Sequence, residues 1–579
     1  MSSTLIRSII SLPFAVSALT MLAITPAHAE STLAASIQVN QVGFHPAAPK
    51  VAVVPTGAAR DFAVVPADGG EAVFTGTTGD ADDWAFSSGE VALADFSGLQ
   101  APGLYRIEVE GVGESHIFEI GDSVYDALND AAIKAYYFNR ASTALPAQYA
   151  GDWARAAGHP DTQVMIHASA ASDSRPEGTI ISSPKGWYDA GDYGKYIVNS
   201  GISTYTLLAA LERDRERYTA RELNIPESGN AVPDLLDEVM WNLDWMLTMQ
   251  DPADGGVYHK LTTLNFVGEV MPADTHEQRY VVQKGTAAAL NFAAVMAVAS
   301  RVVGEYEQAF PGRAAEMLAA AERAWQWAQA NPDLPYRQPD DVKTGGYGDG
   351  EFSDEFAWAA AEMFITTADP RYWEAVDFAG TQNAVPSWSQ VSGLAWMSLA
   401  HHVDGLGDAA NTALIGNRVV ELADAVLATA ENSAWGVPLQ RSDFVWGSNS
   451  AVLNRAMMLL QAYDLSGKPE YVDGAQALLD WVLGRNPTGY SFVTGHGDKT
   501  PMHIHHRQSQ ADDVVDPVPG FVAGGPQPGQ QDKCEYPSKM PAESFVDHWC
   551  SYSTNEVTIN WNAPLVYVTG VLESINAAR

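Results

Sequence analysis

The hydrophobic pattern of this chain changes character once. From about Ser36 to Ile120 it is short and strand-like. Ile37-Gln38-Val39-Asn40 and Tyr105-Arg106-Ile107-Glu108-Val109 alternate, while Val51-Ala52-Val53-Val54 is a continuous apolar run. Gly and Asp turns interrupt these runs, so the spacing predicts a small β-sandwich over 36–120, read as a buttress rather than a binding module. After Val124, long amphipathic or apolar stretches recur. Their periodicity predicts helices near 124–144, 194–212, 233–250, 284–303, 312–330, 353–367, 390–402, 410–431, 448–465, 470–483 and 562–576, with Leu235, Val239, Leu243 and Met246 on one helical face. A further short helix near Pro370–Phe378 would make the set even. Antiparallel hairpins in an even set form either an α-solenoid or a closed toroid, and no repeat of fixed period favours the solenoid. The expected fold class is therefore multidomain: a β-sandwich followed by an all-α domain over 124–579.

Composition narrows the partners. The 579 residues are 46% hydrophobic and only 18% charged, yet 71 Asp and Glu face 33 Lys and Arg, a formal charge of −38. Such a surface repels nucleic acid and anionic membranes. Its acidity suits either a cationic substrate or solubility in salty surroundings. Residues 1–29 read as a secretory signal: Arg7, an apolar core from Ile9 to Ile24, and a small-x-small site at Ala27-His28-Ala29. An exported protein, periplasmic or secreted, is expected, with its mature chain starting near Glu30. No later stretch is expected to reach the roughly 20 apolar residues of a membrane span. Cys534 and Cys550 flank a short loop, and a disulfide there would contribute about 3 kcal/mol. Two cysteines without added histidines do not make a zinc site. No Ser/Pro/Thr-rich linker follows the helices, so no appended carbohydrate-binding module is expected.

Two clusters carry chemistry. Gly186-Trp187-Tyr188-Asp189-Ala190-Gly191-Asp192-Tyr193 sets two carboxylates three positions apart among small and aromatic residues. Paired carboxylates serve glycosidic hydrolysis, and the faces of Trp187 and Tyr188 suit sugar rings. The competing reading makes Asp192 the N-cap of a Tyr193–Leu211 helix. The second cluster holds His503-Ile504-His505-His506-Arg507, a Pro- and Gly-rich loop over Pro517–Pro528, and Tyr552-Ser553-Thr554-Asn555-Glu556-Val557. Its histidines and arginine could donate to sugar hydroxyls, make structural hydrogen bonds or hold a metal, the last disfavoured because His505 and His506 are adjacent and point differently. Glu556 falls on a loop just before a helix. Partial burial there would raise its carboxyl pKa, as a general acid needs, whereas a solvated loop Glu is the plainer alternative.

Taken in order, these motifs resemble glycoside hydrolase family 9. The resemblance rests on Asp189-Ala190-Gly191-Asp192, His505-His506-Arg507, Gly524-Gly525-Pro526, and Asn555-Glu556-Val557 with Asn562-Ala563-Pro564-Leu565. Val39-Asn40-Gln41-Val42-Gly43-Phe44, and Asp95-Phe96-Ser97 with Pro102-Gly103-Leu104-Tyr105, resemble the immunoglobulin-like domain that precedes the catalytic domain in one subgroup. The resemblance implies an (α/α)6 barrel and inverting hydrolysis of β-1,4 bonds. Glu556 matches the general acid, Asp192 the general base, and Asp189 a helper that fixes the water and raises the basicity of Asp192 by repulsion. His505 and Arg507 match a sugar-contacting pair, and Trp446 matches a subsite residue, although a core Trp capping a helix fits it nearly as well. Some members bind calcium beside the segment matching Ser353–Trp358. Asp354 and Glu355 are retained, but Ser389 stands where a further acidic ligand is expected, so any calcium site would be weak and no cofactor is required. The zinc-binding Cys/His cluster of some members cannot be made here. Membership does not fix the sugar. The expectation is an exo-acting hydrolase of short β-1,4-glucan oligosaccharides. Its alternatives are an exo-β-D-glucosaminidase on chitosan oligosaccharides and, in another class, a non-catalytic sugar-binding protein, which the three retained carboxylates disfavour. The oligomeric state is not legible.

Overall fold

The computed structural model describes residues 36–578, and the expected signal segment 1–29 lies outside the described residues. Nine strands open the described residues: β1 (Gly43–Phe44), β2 (Val51–Pro55), β3 (Asp61–Pro66), β4 (Phe74–Thr77), β5 (Asp82–Asp83), β6 (Glu90–Asp95), β7 (Gly103–Val109), β8 (Gly113–Glu114) and β9 (Phe118–Ile120). One sheet runs β1-β9-β7-β3-β4, with β8 on β7, and the other runs β2-β6-β5. Ala52 and Val54 of β2 enter the sandwich core with Phe44, Phe62, Phe96 and Ile107. Val53, on the opposite face, joins the core of the helical domain with Trp84 and Val91. Burial on both faces is why Val51–Val54 is continuously apolar rather than alternating.

Among the described residues the larger domain holds fifteen α-helices; three short ones, Ala147–Ala150, Arg215–Thr219 and Arg507–Ala511, lie outside the packing scheme and are left unnumbered, and the other twelve build it. They are α1 (Asp126–Phe138), α2 (Ile197–Arg213), α3 (Asp234–Thr248), α4 (Thr286–Gly304), α5 (Arg313–Ala330), α6 (Ser353–Thr367), α7 (Pro370–Glu374), α8 (Ser392–His401), α9 (Thr412–Ala428), α10 (Ser448–Ser466), α11 (Pro469–Val482) and α12 (Ile559–Ala577). The even-numbered helices pack in sequence, and α12 returns onto α2, closing an inner ring. Each odd-numbered helix packs outside an inner one. The ring closes, so the solenoid alternative is excluded. In α4 every residue except Arg301 and Gly304 is buried. That helix is long and apolar enough to cross a membrane, contrary to expectation, and its apolarity serves the interior of the ring.

Two further corrections concern this domain. It is not all-α: β10 (Val164–Ile166), β11 (Ile180–Ile181), β12 (Lys195–Tyr196), β13 (Lys260–Thr262) and β14 (Tyr280–Val281) form a sheet in the order β11-β10-β14-β13-β12. Strands of two or three residues are too short to display a two-residue period. And α2 begins at Ile197 with Tyr196 as its cap residue, so Asp192 caps no helix.

The two domains share buried contacts. Trp84 of the sandwich lies 5.9 Å, ring to ring, from both Phe444 and Trp481. The Asn40 amide donates to Asp480 at 2.9 Å, and the Trp435 indole donates to Ser87 at 3.1 Å.

Candidate active site

The segments leading into α2, α6, α8, α10 and α12 meet at one mouth of the ring. There a cleft of about 760 Å³ is lined by Asp189, Asp192, Tyr347, Trp388, Trp446, His505, Arg507 and Glu556, among others. Backbone contacts join the distant segments. The Ile559 N–H donates to the Asp189 carbonyl at 2.9 Å, and the Arg507 N–H donates to the Gly191 carbonyl at 3.1 Å. His505 pairs in parallel with Glu556. Gly191 is required by close approach: a Cβ there would stand 2.1 Å from the His505 carbonyl oxygen. The early and late motifs are thus two halves of one wall.

Asp189 is buried. Its Oδ1 accepts from the Asn199 amide at 2.6 Å and its Oδ2 from the Tyr347 hydroxyl at 2.7 Å. Burial raises its pKa to about 8, with the charge of Asp192 adding to the rise and the two donors opposing it. The Oδ2 of Asp192 accepts from the Gly194 N–H at 3.0 Å and the Tyr196 hydroxyl at 3.3 Å. Glu556 keeps partial access to the cleft. Burial, followed by the charges of Asp192 and Asp189, raises its carboxyl well above the usual range. A carboxyl raised in this way keeps its proton to higher pH, as a general acid needs.

His505 stacks on Trp549 at 4.3 Å, and its Nδ1 pairs with the Trp549 carbonyl at 2.8 Å. Arg507 donates to the Val267 carbonyl at 3.0 Å and the Gly191 carbonyl at 2.8 Å, so it shapes the wall as well as lining it. Among the described residues no group of three or more His, Cys, Asp or Glu is placed to hold a metal ion. Trp446 is 43% exposed, pairs with Tyr552 at 5.5 Å and lines the cleft, so it is not a core residue.

Trp187 and Tyr188 require correction. Both are buried and neither lines the cleft. The Trp187 indole donates to Glu238 at 2.7 Å, and the Tyr188 hydroxyl pairs with His159 at 2.8 Å. They pin the Asp189–Gly194 loop from behind. The platform faces come instead from Phe266, Tyr347, Trp388 and Tyr552, scattered residues with no common motif. Only the Gly345-Gly346-Tyr347 run, with Tyr347 in the left-handed region at φ 48°, signalled an unusual loop.

Cys534 and Cys550 form a disulfide with Cα atoms 6.0 Å apart, closing a loop that carries Trp549, with Tyr552 just beyond it. Asp354 and Glu355 stand at the start of α6, and neither lines the cleft. Both Glu355 oxygens are buried without a hydrogen-bond partner, as a cation ligand would be. But Asp354 spends one oxygen on the Val391 N–H at 2.7 Å, and Ser389 brings no carboxylate. Burial, with the charges of Asp354 and Asp349, instead raises Glu355 well above the carboxylate range.

Comparison with known proteins agrees with this geometry. The family model for glycosyl hydrolase family 9 matches residues 125–569, and that for the cellulase N-terminal Ig-like domain matches 33–114. The chain is 44% identical to a xyloglucan-specific endo-β-1,4-glucanase of Bacteroides ovatus, covering 93% of this chain and 94% of that one. It is 32% identical to a cellodextrinase of Butyrivibrio fibrisolvens, covering 93% and 100%. Among solved structures, a Bacteroides ovatus GH9 structure superposes with a TM-score of 0.87 at 42% identity, covering 93% of this chain and 99% of that one. The site, the two-domain plan and these likenesses lead to one statement: the chain belongs to glycosyl hydrolase family 9 and is a glycoside hydrolase.

Proposed function

We propose that this protein hydrolyses β-1,4-linked glucan chains with inversion, in an (α/α)6 barrel formed by the double ring. The observation that carries the proposal is the meeting of Asp189, Asp192 and Glu556 in one aromatic-lined cleft. Glu556 protonates the leaving oxygen, which suits its raised pKa. Asp192, accepting from Gly194 and Tyr196, takes a proton from the attacking water. Asp189, held by Asn199 and Tyr347, positions that water. Its raised pKa makes this part geometric rather than repulsive in the substrate-free site. Inversion needs acid and base about 6.5–9.5 Å apart, which two Asp of one short loop do not span but a Glu from the far end of the chain can.

The β-1,4-glucan substrate is supported by the relatives named a xyloglucan endoglucanase and a cellodextrinase. For the mode of attack we favour internal cutting. Phe266 (48% exposed), Trp446 (43%) and Tyr552 (37%) spread open aromatic faces along the cleft, and the relative at 44% identity is named an endo-enzyme. End-wise release of short products and action on glucosamine oligosaccharides are the alternatives. The non-catalytic alternative is set aside by family membership. No cofactor is assigned to the reaction. Export to the periplasm or medium is supported by the Arg7–Ala29 signal pattern and by the Cys534–Cys550 disulfide, which suits an oxidising compartment.

Hydrolysis of a β-glucan oligosaccharide followed by proton NMR should show the α-anomer first. Glu556→Gln should spare an aryl or fluoride glycoside, whose leaving group needs little protonation, while Asp192→Asn should damage both substrates equally. An initial β-anomer, or parallel losses in the two variants, would overturn these roles. Rapid viscosity loss in a soluble β-glucan would support internal cutting.

A further inference from the structure

Beside the cleft, strand β13 carries a cation with no place in the reaction as written. Lys260 is fully buried, and its strand pairs it in register with Tyr196 of β12. Its Nζ donates to the Gly345 carbonyl at 2.6 Å, the Gln338 amide oxygen at 3.0 Å, and the Thr344 hydroxyl at 3.2 Å and carbonyl at 3.4 Å. It also sits over the rings of Tyr196 and Tyr336, 5.5 and 5.6 Å from their centres. The neighbouring His259 continues the pattern, its Nε2 pairing with the Gly346 carbonyl at 2.8 Å. Three successive carbonyls of the 344–346 loop therefore point at Lys260 of β13 and at His259 just before it. The residue that follows is Tyr347, the donor to Asp189, and its ring lies 4.8 Å from that of Tyr196, the donor to Asp192.

We propose that Lys260 is a positioning residue of the water-activating pair: it seats the 344–346 loop so that the Tyr347 hydroxyl reaches Asp189, and it supports the Tyr196 ring whose hydroxyl reaches Asp192. The inference rests on the reading of Asp189 and Asp192 given above. Its chemistry is that of an ammonium whose donors are all spent on carbonyl, amide and hydroxyl oxygens, which a methylene chain of equal length cannot replace. Burial lowers the Lys260 pKa to about 7, and the charge of Asp192 opposes that fall, so the cation is coupled to the pair it supports. An apolar side chain would fill this space without the desolvation cost, and the loop seat is what the cation adds.

Lys260→Met tests the assignment. We expect an unchanged far-UV circular dichroism spectrum, KM within about threefold of the parent, and kcat lower by about ten- to a hundredfold, the scale of a small misplacement of reacting groups. Tyr347→Phe should lower kcat similarly. The double variant should be no worse than the poorer single one by more than about threefold, because both changes remove one and the same interaction. A Lys260→Met kcat within about threefold of the parent, or losses that multiply in the double variant, overturns the inference. If Lys260→Met is not recovered folded, the same cycle is read with Lys260→Arg, which keeps the charge but not the seat, and independence from Tyr347→Phe overturns it equally. Asp192→Asn separates the two readings. An inactive Asp192→Asn beside an unaffected Lys260→Met sinks the positioning role alone, whereas an active Asp192→Asn sinks the reading of the cleft beneath it.

Discussion

At the scale of single residues, the cleft separates acid from base by environment. Glu556 and Asp189 are both raised by burial first, but Glu556 faces the open cleft while Asp189 is locked between Asn199 and Tyr347. Asp189 carries a stability consequence whose sign is definite. Its carboxyl titrates near ~3.9 when unfolded and at about 8 when folded, so between those values the folded state binds the extra proton. Stability contributed through this group is therefore present at low pH and lost as pH rises towards 8. Asp189→Asn should stabilise the protein at pH 7–8 by on the order of a few kcal/mol and give no gain near pH 4. Urea titrations of both proteins at several pH values check this, and a gain independent of pH would reject the assignment. Residue types alone misplaced Trp187 and Tyr188, because nothing in a Gly-Trp-Tyr-Asp run tells which side of the chain faces a ligand. Their burial follows from partners far along the chain, Glu238 and His159.

At the scale of elements, the long helices are legible because each carries an apolar face over several turns. The short strands of the sheet in the helical domain, including the one that holds Lys260, are not. The start of α6 shows a further limit. Asp354 and Glu355 sit where the family pattern anticipates calcium, yet one Asp354 oxygen caps the Val391 N–H, and burial raises the Glu355 carboxyl. Glu355→Gln, which keeps the shape of a protonated carboxyl, should therefore leave the melting temperature within a few degrees of the parent, about 1 kcal/mol or less. Added calcium or a chelator should not move it. A calcium-dependent rise in the parent that Glu355→Gln abolishes would show that the ion is bound there.

At the scale of the whole molecule, the sandwich is built into the helical domain rather than tethered to it. Val53, Trp84 and Val91 belong to the large core, and Asn40 reaches Asp480 across the boundary. The 84–88 turn of the sandwich touches Phe444, two residues before Trp446 of the cleft, and Ser88 bonds Glu543 within the disulfide loop. Trp84→Ala should cost about 3–5 kcal/mol and lower one common melting transition in calorimetry, not that of a separate sandwich. Two resolved transitions would contradict a shared core. Binary pattern and motif order sufficed, by themselves, for the two-domain plan, most of the long helices and the motifs that carry the three carboxylates lining the cleft, because these are local or are spelled by contiguous residue types. Tertiary structure alone decided the closure of the ring, the inward turn of Trp187 and Tyr188, the platform of Phe266, Tyr347, Trp388 and Tyr552, and the seat of Lys260. Each of these depends on pairs distant in sequence, from 29 residues for Tyr188 and His159 upward, that only packing brings into contact, and a one-dimensional pattern holds no record of which side of the chain packing will bury.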